Sequence, residues 1–243
     1  MGKDKVKRFQ ENKQFGCLHQ PTFEAIFRKD YHLKGAWNSV VFGREAPICL
    51  ELGCGKGEYT LALARKYPER HFIGIDIKGA RLWRGAKTAT EEALPNVSFL
   101  RTRIEFIESF FTSNEVDEIW ITFPDPQLNR ERKRLTHPMF LERYRTFLRP
   151  GATIHLKTDS RELHDYTCKV AHALHYPIQH ACTDVYAIGM QQDAQGLQQD
   201  TQGLQQDTQG LQQEIDILSV RTFYEQQFLS MGKPITYLAF SLP

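Results

Sequence analysis

At 243 residues the chain fits one α/β domain with decorations and is long enough to bury a substantial core. No run approaches a membrane span and the N-terminus has no apolar signal core, so a cytoplasmic protein with no membrane partner is expected. The net charge of +2 is uneven: Lys3, Lys5, Lys7, Arg8 and Lys13 crowd the first fifteen residues, and Arg130-Glu131-Arg132-Lys133-Arg134 forms a second cluster.

The five cysteines, Cys17, Cys49, Cys54, Cys168 and Cys182, form no C-x-x-C pair, so neither a metal nor a disulfide framework is expected. Residues 1–46 read as a basic N-terminal arm and cap, the cap over 15–42 showing aromatics and short helical signals but no clear period. Residues 47–243 read as the main domain. Regular alternation begins with a strand over 48–52, a helix over 57–67 that Pro68 ends, and a strand over 71–75 that closes on Asp76. That is a β-α-β unit.

Between its first strand and helix stands Glu51-Leu52-Gly53-Cys54-Gly55-Lys56-Gly57. Alternating glycines at a strand-to-helix turn let the backbone approach a ligand. The dinucleotide fingerprint G-x-G-x-x-G fails, because Glu58 occupies the place of its third glycine, and the phosphate-loop spacing around Lys56 fails as well. The order E-x-G-x-G-x-G instead matches methyltransferases that use S-adenosylmethionine. A carboxylate at Glu51 suits the ammonium and sulfonium of that cofactor and would repel a phosphate. Asp76, one helix and one strand further on, returns to the same rim, where it can accept both ribose hydroxyls; its competing role is to cap the next helix.

The pattern continues with a helix from 78 to 94, strands over 97–102 and 117–123, and a short helix over 104–111 between them. Phe123-Pro124-Asp125-Pro126 ends the fourth strand, its prolines fixing the backbone on either side of Asp125. A helix over 138–148, a strand over 154–158 ending in Asp159, a helix over 162–174 and a sixth strand over 178–186 follow. Residues 188–215 hold four copies of a seven-residue unit, clearest as QGLQQDT. One apolar side chain and one glycine per unit cannot build a coiled-coil seam, so a surface insertion is expected. The domain resumes with a helix over 219–231 and a strand over 235–242.

Five motifs thus stand in order: Glu51 to Gly57, Gly74-Ile75-Asp76, Phe123 to Pro126, Lys157-Thr158-Asp159 and Thr222-Phe223-Tyr224-Glu225. In this combination the chain resembles the bacterial single-subunit tRNA (guanine-N7)-methyltransferases, which join E-L-G-C-G-K-G, G-I-D/E, F-P-D-P, K-T-D and T-x-x-E. The match runs from about Lys3 to the end, apart from the repeats.

The resemblance implies a Rossmann-like class I S-adenosylmethionine-dependent methyltransferase fold, a seven-stranded mostly parallel sheet with helices on both faces and an antiparallel last strand. It implies S-adenosyl-L-methionine as methyl donor, tRNA as partner, a monomer or homodimer, and transfer to N7 of guanine-46 in the variable loop. Glu51, Gly53, Gly55, Gly57, Asp76 and Arg103 would line the cofactor. Asp125 would stand at the active centre against it, and Asn129, Asp159, Thr222 and Glu225 would bind the guanosine. Arg103 and Asn129 depart from the family, many of whose members have Asn or Asp at the first position and Lys at the second. Thr222 and Glu225 also satisfy a helix capping box.

Lys5, Lys7, Arg8, Arg130, Arg132 and Lys133 are candidates for the RNA backbone, against the plainer reading of solvated charge. The rival functions are a methyltransferase of the same fold acting on another RNA, a protein or a small molecule, and a non-catalytic RNA-binding subunit.

Overall fold

Eight strands pair into one sheet in the computed structural model, which describes residues 3–186 and 217–243; the seven-residue repeats lie outside the described residues. The strands are β1 (Leu18–His19), β2 (Ile48–Leu52), β3 (His71–Asp76), β4 (Val97–Arg101), β5 (Val116–Thr122), β6 (Leu148–Thr158), β7 (Ile178–Cys182) and β8 (Thr236–Ser241). The α-helices are α1 (Lys3–Glu11), α2 (Phe23–Ile26), α3 (Glu58–Lys66), α4 (Gly79–Glu91), α5 (Pro138–Arg145), α6 (Arg161–Ala173) and α7 (Phe223–Ser230). The sheet order is β1-β4-β3-β2-β5-β6-β8-β7. All neighbours are parallel except β8, which runs antiparallel to both β6 and β7.

The sheet therefore has eight strands where seven were expected. The extra one, β1, comes from the segment read as a cap and pairs with Phe99 and Leu100. Two residues are too few to carry an alternation, so the sequence gives no sign of it. β6 also starts earlier than expected, at Leu148. Its pairing with β5 shifts register between Val116 and Glu118, and Gly151 takes φ 77°. A Pro-Gly pair that reads as a turn is thus absorbed as an irregularity within a strand.

The alternation along β2 assigns the two faces. Ile48, Leu50 and Leu52 join the core under α5 and α6, while Cys49 joins the one under α3 and α4. Glu51, two residues on from Cys49, shares its face. At the far side of that layer the Phe99 ring fills the space left by three glycines. A Cβ on Gly57, Gly74 or Gly85 would come within 2.5, 2.8 or 2.7 Å of it, so α3 and α4 sit close on the sheet. Strand order reverses between β2 and β5, which places a crevice beyond the carboxyl ends of β2, β3 and β5.

Candidate active site

The turn from β2 into α3 frames this crevice. Gly53 and Gly55 take φ 78° and 57°, and the space where their Cβ atoms would project is open. A side chain at either would suffer in conformation and would fill the crevice. Gly57, at φ 72°, is held instead by its contact with Phe99. Asp76 ties the loop to the next helix: its carboxylate accepts from the Gly55 N–H at 3.0 Å and the Lys78 N–H at 2.7 Å.

Glu51 is almost fully buried below the loop. It accepts hydrogen bonds from the Thr60 N–H at 2.8 Å, the Thr60 hydroxyl and the Thr122 hydroxyl. Burial pushes its carboxyl up to about 7, with the Thr122 and Thr60 hydrogen bonds acting in the opposite direction. A group so poised ionises readily when a cation arrives.

Two cavities meet at Gly53. The larger, about 370 Å³, is lined among others by Asp76, Ile77, Thr102, Arg103, Arg130 and Lys133. The smaller, about 70 Å³, lies against Glu51, Gly55, Tyr59, Thr122, Thr222 and Tyr224. The crevice thus joins the glycine turn to residues more than 160 positions later.

Asp125 sits on the loop between Phe123, which lines the smaller cavity, and Gln127, which lines the larger. Its side chain is exposed and accepts from the Gln127 N–H at 3.0 Å. The turn is strained at both ends: Phe123 and Gln127 take φ 47° and 48°, in the left-handed region. Arg103 lines the larger cavity with its guanidinium 3.0 Å from Glu105. Asn129 and Arg132 are exposed, and Lys133 reaches Glu105 at 3.2 Å. Arg134, the last of that basic cluster, is buried and bound to Glu162 and the Pro126 carbonyl. Lys7 and Arg8 stand exposed on α1; the side chain of Lys5 lies outside the described residues.

Asp159 accepts from Lys233 at 3.1 Å. Thr222 caps α7, its hydroxyl accepting from the Glu225 N–H at 3.3 Å. Glu225 does not return the capping bond. Its carboxylate lies inside the protein, 2.7 Å from Lys157 Nζ and 2.7 Å from the Tyr186 hydroxyl, and its Oε2 has no hydrogen-bond partner among the described residues.

Sequence reasoning passed over Thr60, Thr122, Tyr59 and the structural part played by Lys157. The Tyr59 hydroxyl donates to the Ile217 carbonyl at 3.1 Å, and the Phe223 N–H donates to Glu58 at 2.6 Å, so α3 grips the segment that carries Thr222. Only Lys157 had a signal, its place in Lys157-Thr158-Asp159; the others sit in ordinary strand and helix patterns.

Comparison with known proteins gives a consistent picture. Residues 45–184 match a family described as "Putative methyltransferase". A tRNA (guanine-N(7)-)-methyltransferase of Christiangramia forsetii is 46% identical over 242 residues, covering 99% of this chain and 98% of that protein. One from Bacteroides thetaiotaomicron is 41% identical over 243 residues, covering 100% of this chain and 87% of that protein. Among solved structures, the 16S rRNA methyltransferase KamB aligns with a TM-score of 0.58 at 16% identity, over 83% of this chain and 90% of that one. At that identity the likeness is one of fold.

Proposed function

We propose that this chain, which belongs to the tRNA (guanine-N7)-methyltransferase family, methylates N7 of guanine-46 in the variable loop of tRNA, with S-adenosylmethionine as donor. The observation that carries the reading is the meeting of two sets of residues at one crevice. Glu51, Gly53 and Gly55 line the smaller cavity together with Thr222 and Tyr224.

The residues present fit the donor. Open space before Gly53 and Gly55 admits a ligand against the backbone, and Asp76, beside the larger cavity, has a carboxylate for ribose hydroxyls. Glu51, raised toward neutrality by burial, is matched to a cationic amino-acid tail. When bound, the donor supplies an electrophilic methyl group on a sulfonium.

Guanine N7 carries a lone pair and no proton, so no general base is required. The alkylated ring is cationic. We assign Asp125 to the active centre, where its carboxylate accepts from guanine N–H groups and favours the growing positive charge. Asn129, Asp159 and Thr222 form the guanosine side in this reading, Glu225, fully buried on Lys157, holds the segment that carries Thr222 from beneath, and Arg130, Arg132 and Lys133 make the RNA backbone contacts around it. The larger share of the rate comes from holding N7 in line with the methyl group.

The reading also places the protein in the cytoplasm, where its substrate is. Among the described residues no helix is long and apolar enough to cross a membrane.

The test is incubation with methyl-labelled donor and bulk tRNA, followed by borohydride and aniline, which cleave the chain at N7-methylguanine. Labelled, cleavable tRNA is expected. Label without cleavage means another methylation, and no label favours a binding subunit.

A further inference from the structure

Beside α4 lies a third cleft, of about 200 Å³, lined by Lys7, Arg8 and Glu11 of α1 and by Trp83 and Lys87 of α4. The two helices run antiparallel there. Asn12 donates to the Gly79 carbonyl at 2.9 Å, Glu11 accepts from the Trp83 indole N–H, and Lys7 shares the cleft with Lys87. The Arg8 guanidinium stands 4.8 Å from the Trp83 ring centroid and the Lys87 ammonium 5.2 Å from it.

Three cations and an indole therefore converge on one opening, where Glu11 is the one carboxylate of the lining and Glu91 stands behind Lys87. Glu11 is partly engaged by Trp83 and, at 3.9 Å, by Lys7, while Lys87 reaches Glu91 at 3.7 Å. Arg8 has no carboxylate partner among the described residues. Cations set around an aromatic ring suit a nucleic-acid strand better than an acidic peptide, because both phosphate and base find a partner.

The position is also suitable. α4 starts beside Asp76, at the rim of the larger cavity; Trp83 and Lys87 follow Gly79 by about 6 and 12 Å along the helix. Arg81, which lines the smaller cavity, and Arg84 are exposed on the intervening turns.

We infer that the α1–α4 cleft binds a phosphodiester of the substrate tRNA away from the methylated base, with Arg8 and Lys87 on the phosphate. The inference rests on the proposed function for the identity of the RNA. It gives the basic N-terminal segment a defined receptor on the domain, through Trp83 and Lys87.

The experiment measures binding of fluorescently labelled bulk tRNA to the full chain over a series of salt concentrations. The double variant Arg8→Gln/Lys87→Gln is expected to weaken binding roughly tenfold at low salt and to reduce the slope of log affinity against log salt by about 1.5. Donor binding should be unchanged. Glu11→Gln keeps an acceptor for the Trp83 N–H while removing the negative charge, and is expected to tighten tRNA binding roughly twofold, a gain that no folding defect imitates.

Unchanged affinity and slope in the double variant, or weaker binding by Glu11→Gln, overturns the inference. The parent chain separates the two readings. If it binds no tRNA, the proposed function and the cleft fall together; if it binds and methylates tRNA while the double variant is unaffected, only the cleft falls.

Discussion

Lys157 Nζ lies 2.7 Å from Glu225 Oε1, and both side chains are 0% exposed. The same ammonium donates to the carbonyls of Leu218 at 2.6 Å and Val220 at 3.2 Å, so all three of its protons are used. Burial lowers its pKa and the Glu225 charge opposes that shift. One strand of the sheet thereby holds the segment that brings Thr222 and Tyr224 to the crevice.

Replacing Lys157 by Met leaves the buried Glu225 carboxylate without its counter-charge, held only by the Tyr186 hydroxyl, and two carbonyls without their donor. The expected loss is about 3–5 kcal/mol of stability, since breaking one side of a buried pair strands the other. In a chain of this size that lowers the melting temperature by on the order of 10 °C. Below that temperature methyl transfer should fall much further than donor affinity, because Glu51 and Asp76 are left in place. A Lys157→Met protein that melts and turns over like the parent contradicts this account.

Glu51 gives a pH dependence with a definite sign. Its carboxyl is raised from 4.5 to about 7 in the fold, so its contribution to stability is present at low pH and is lost as pH rises from about 4.5 through about 7. A bound cation favours the ionised form. Donor affinity is therefore expected to rise by up to about eightfold from about pH 6 to about pH 7.5, in calorimetric titrations. Glu51→Gln should bind at least about tenfold more weakly and lose this dependence. A pH-independent parent protein would refute the assignment.

Asp125→Asn separates charge from turn geometry. An asparagine can still accept from the Gln127 N–H, so the Pro-Asp-Pro turn is kept while the negative charge is removed. Single-turnover transfer should fall by about 100-fold or more with donor binding largely intact. If donor binding alone is lost, Asp125 belongs to the cofactor contacts.

Much of this was legible because the central strands are long and the turns between them are chemically marked. β2, β3 and β5 end at Leu52, Asp76 and Thr122, beside the marked residues Gly53, Asp76 and Pro124, and their rim follows from the β-α-β rule without coordinates. Elements set by tertiary contact escaped. β1 is a strand only because β4 lies beside it, and α1 belongs to a segment whose sequence shows only a basic arm, although its end docks on α4 through Arg8, Glu11 and Asn12.

In the site, Glu51, Gly53, Gly55, Asp76, Arg103 and Thr222 line the two cavities, Asp125, Asn129, Asp159 and Glu225 do not, and the motifs say nothing of how each is held. Thr222-x-x-Glu225 looks like a reciprocal cap, yet only the Thr222 half forms, because Lys157 and Tyr186 bind the carboxylate. Thr60 and Thr122, which hold Glu51, lie in patterns that say only helix and strand. Lys133 and Arg134 look alike in sequence, but burial commits Arg134 to Glu162.

The most direct measurement uses two tRNA transcripts that differ only at position 46, guanine in one and adenine in the other. Each is incubated with the full chain and methyl donor, then treated with borohydride and aniline. The account predicts a single cut at position 46 in the first transcript and none in the second. Equal cleavage elsewhere in both, or none in either, would contradict it.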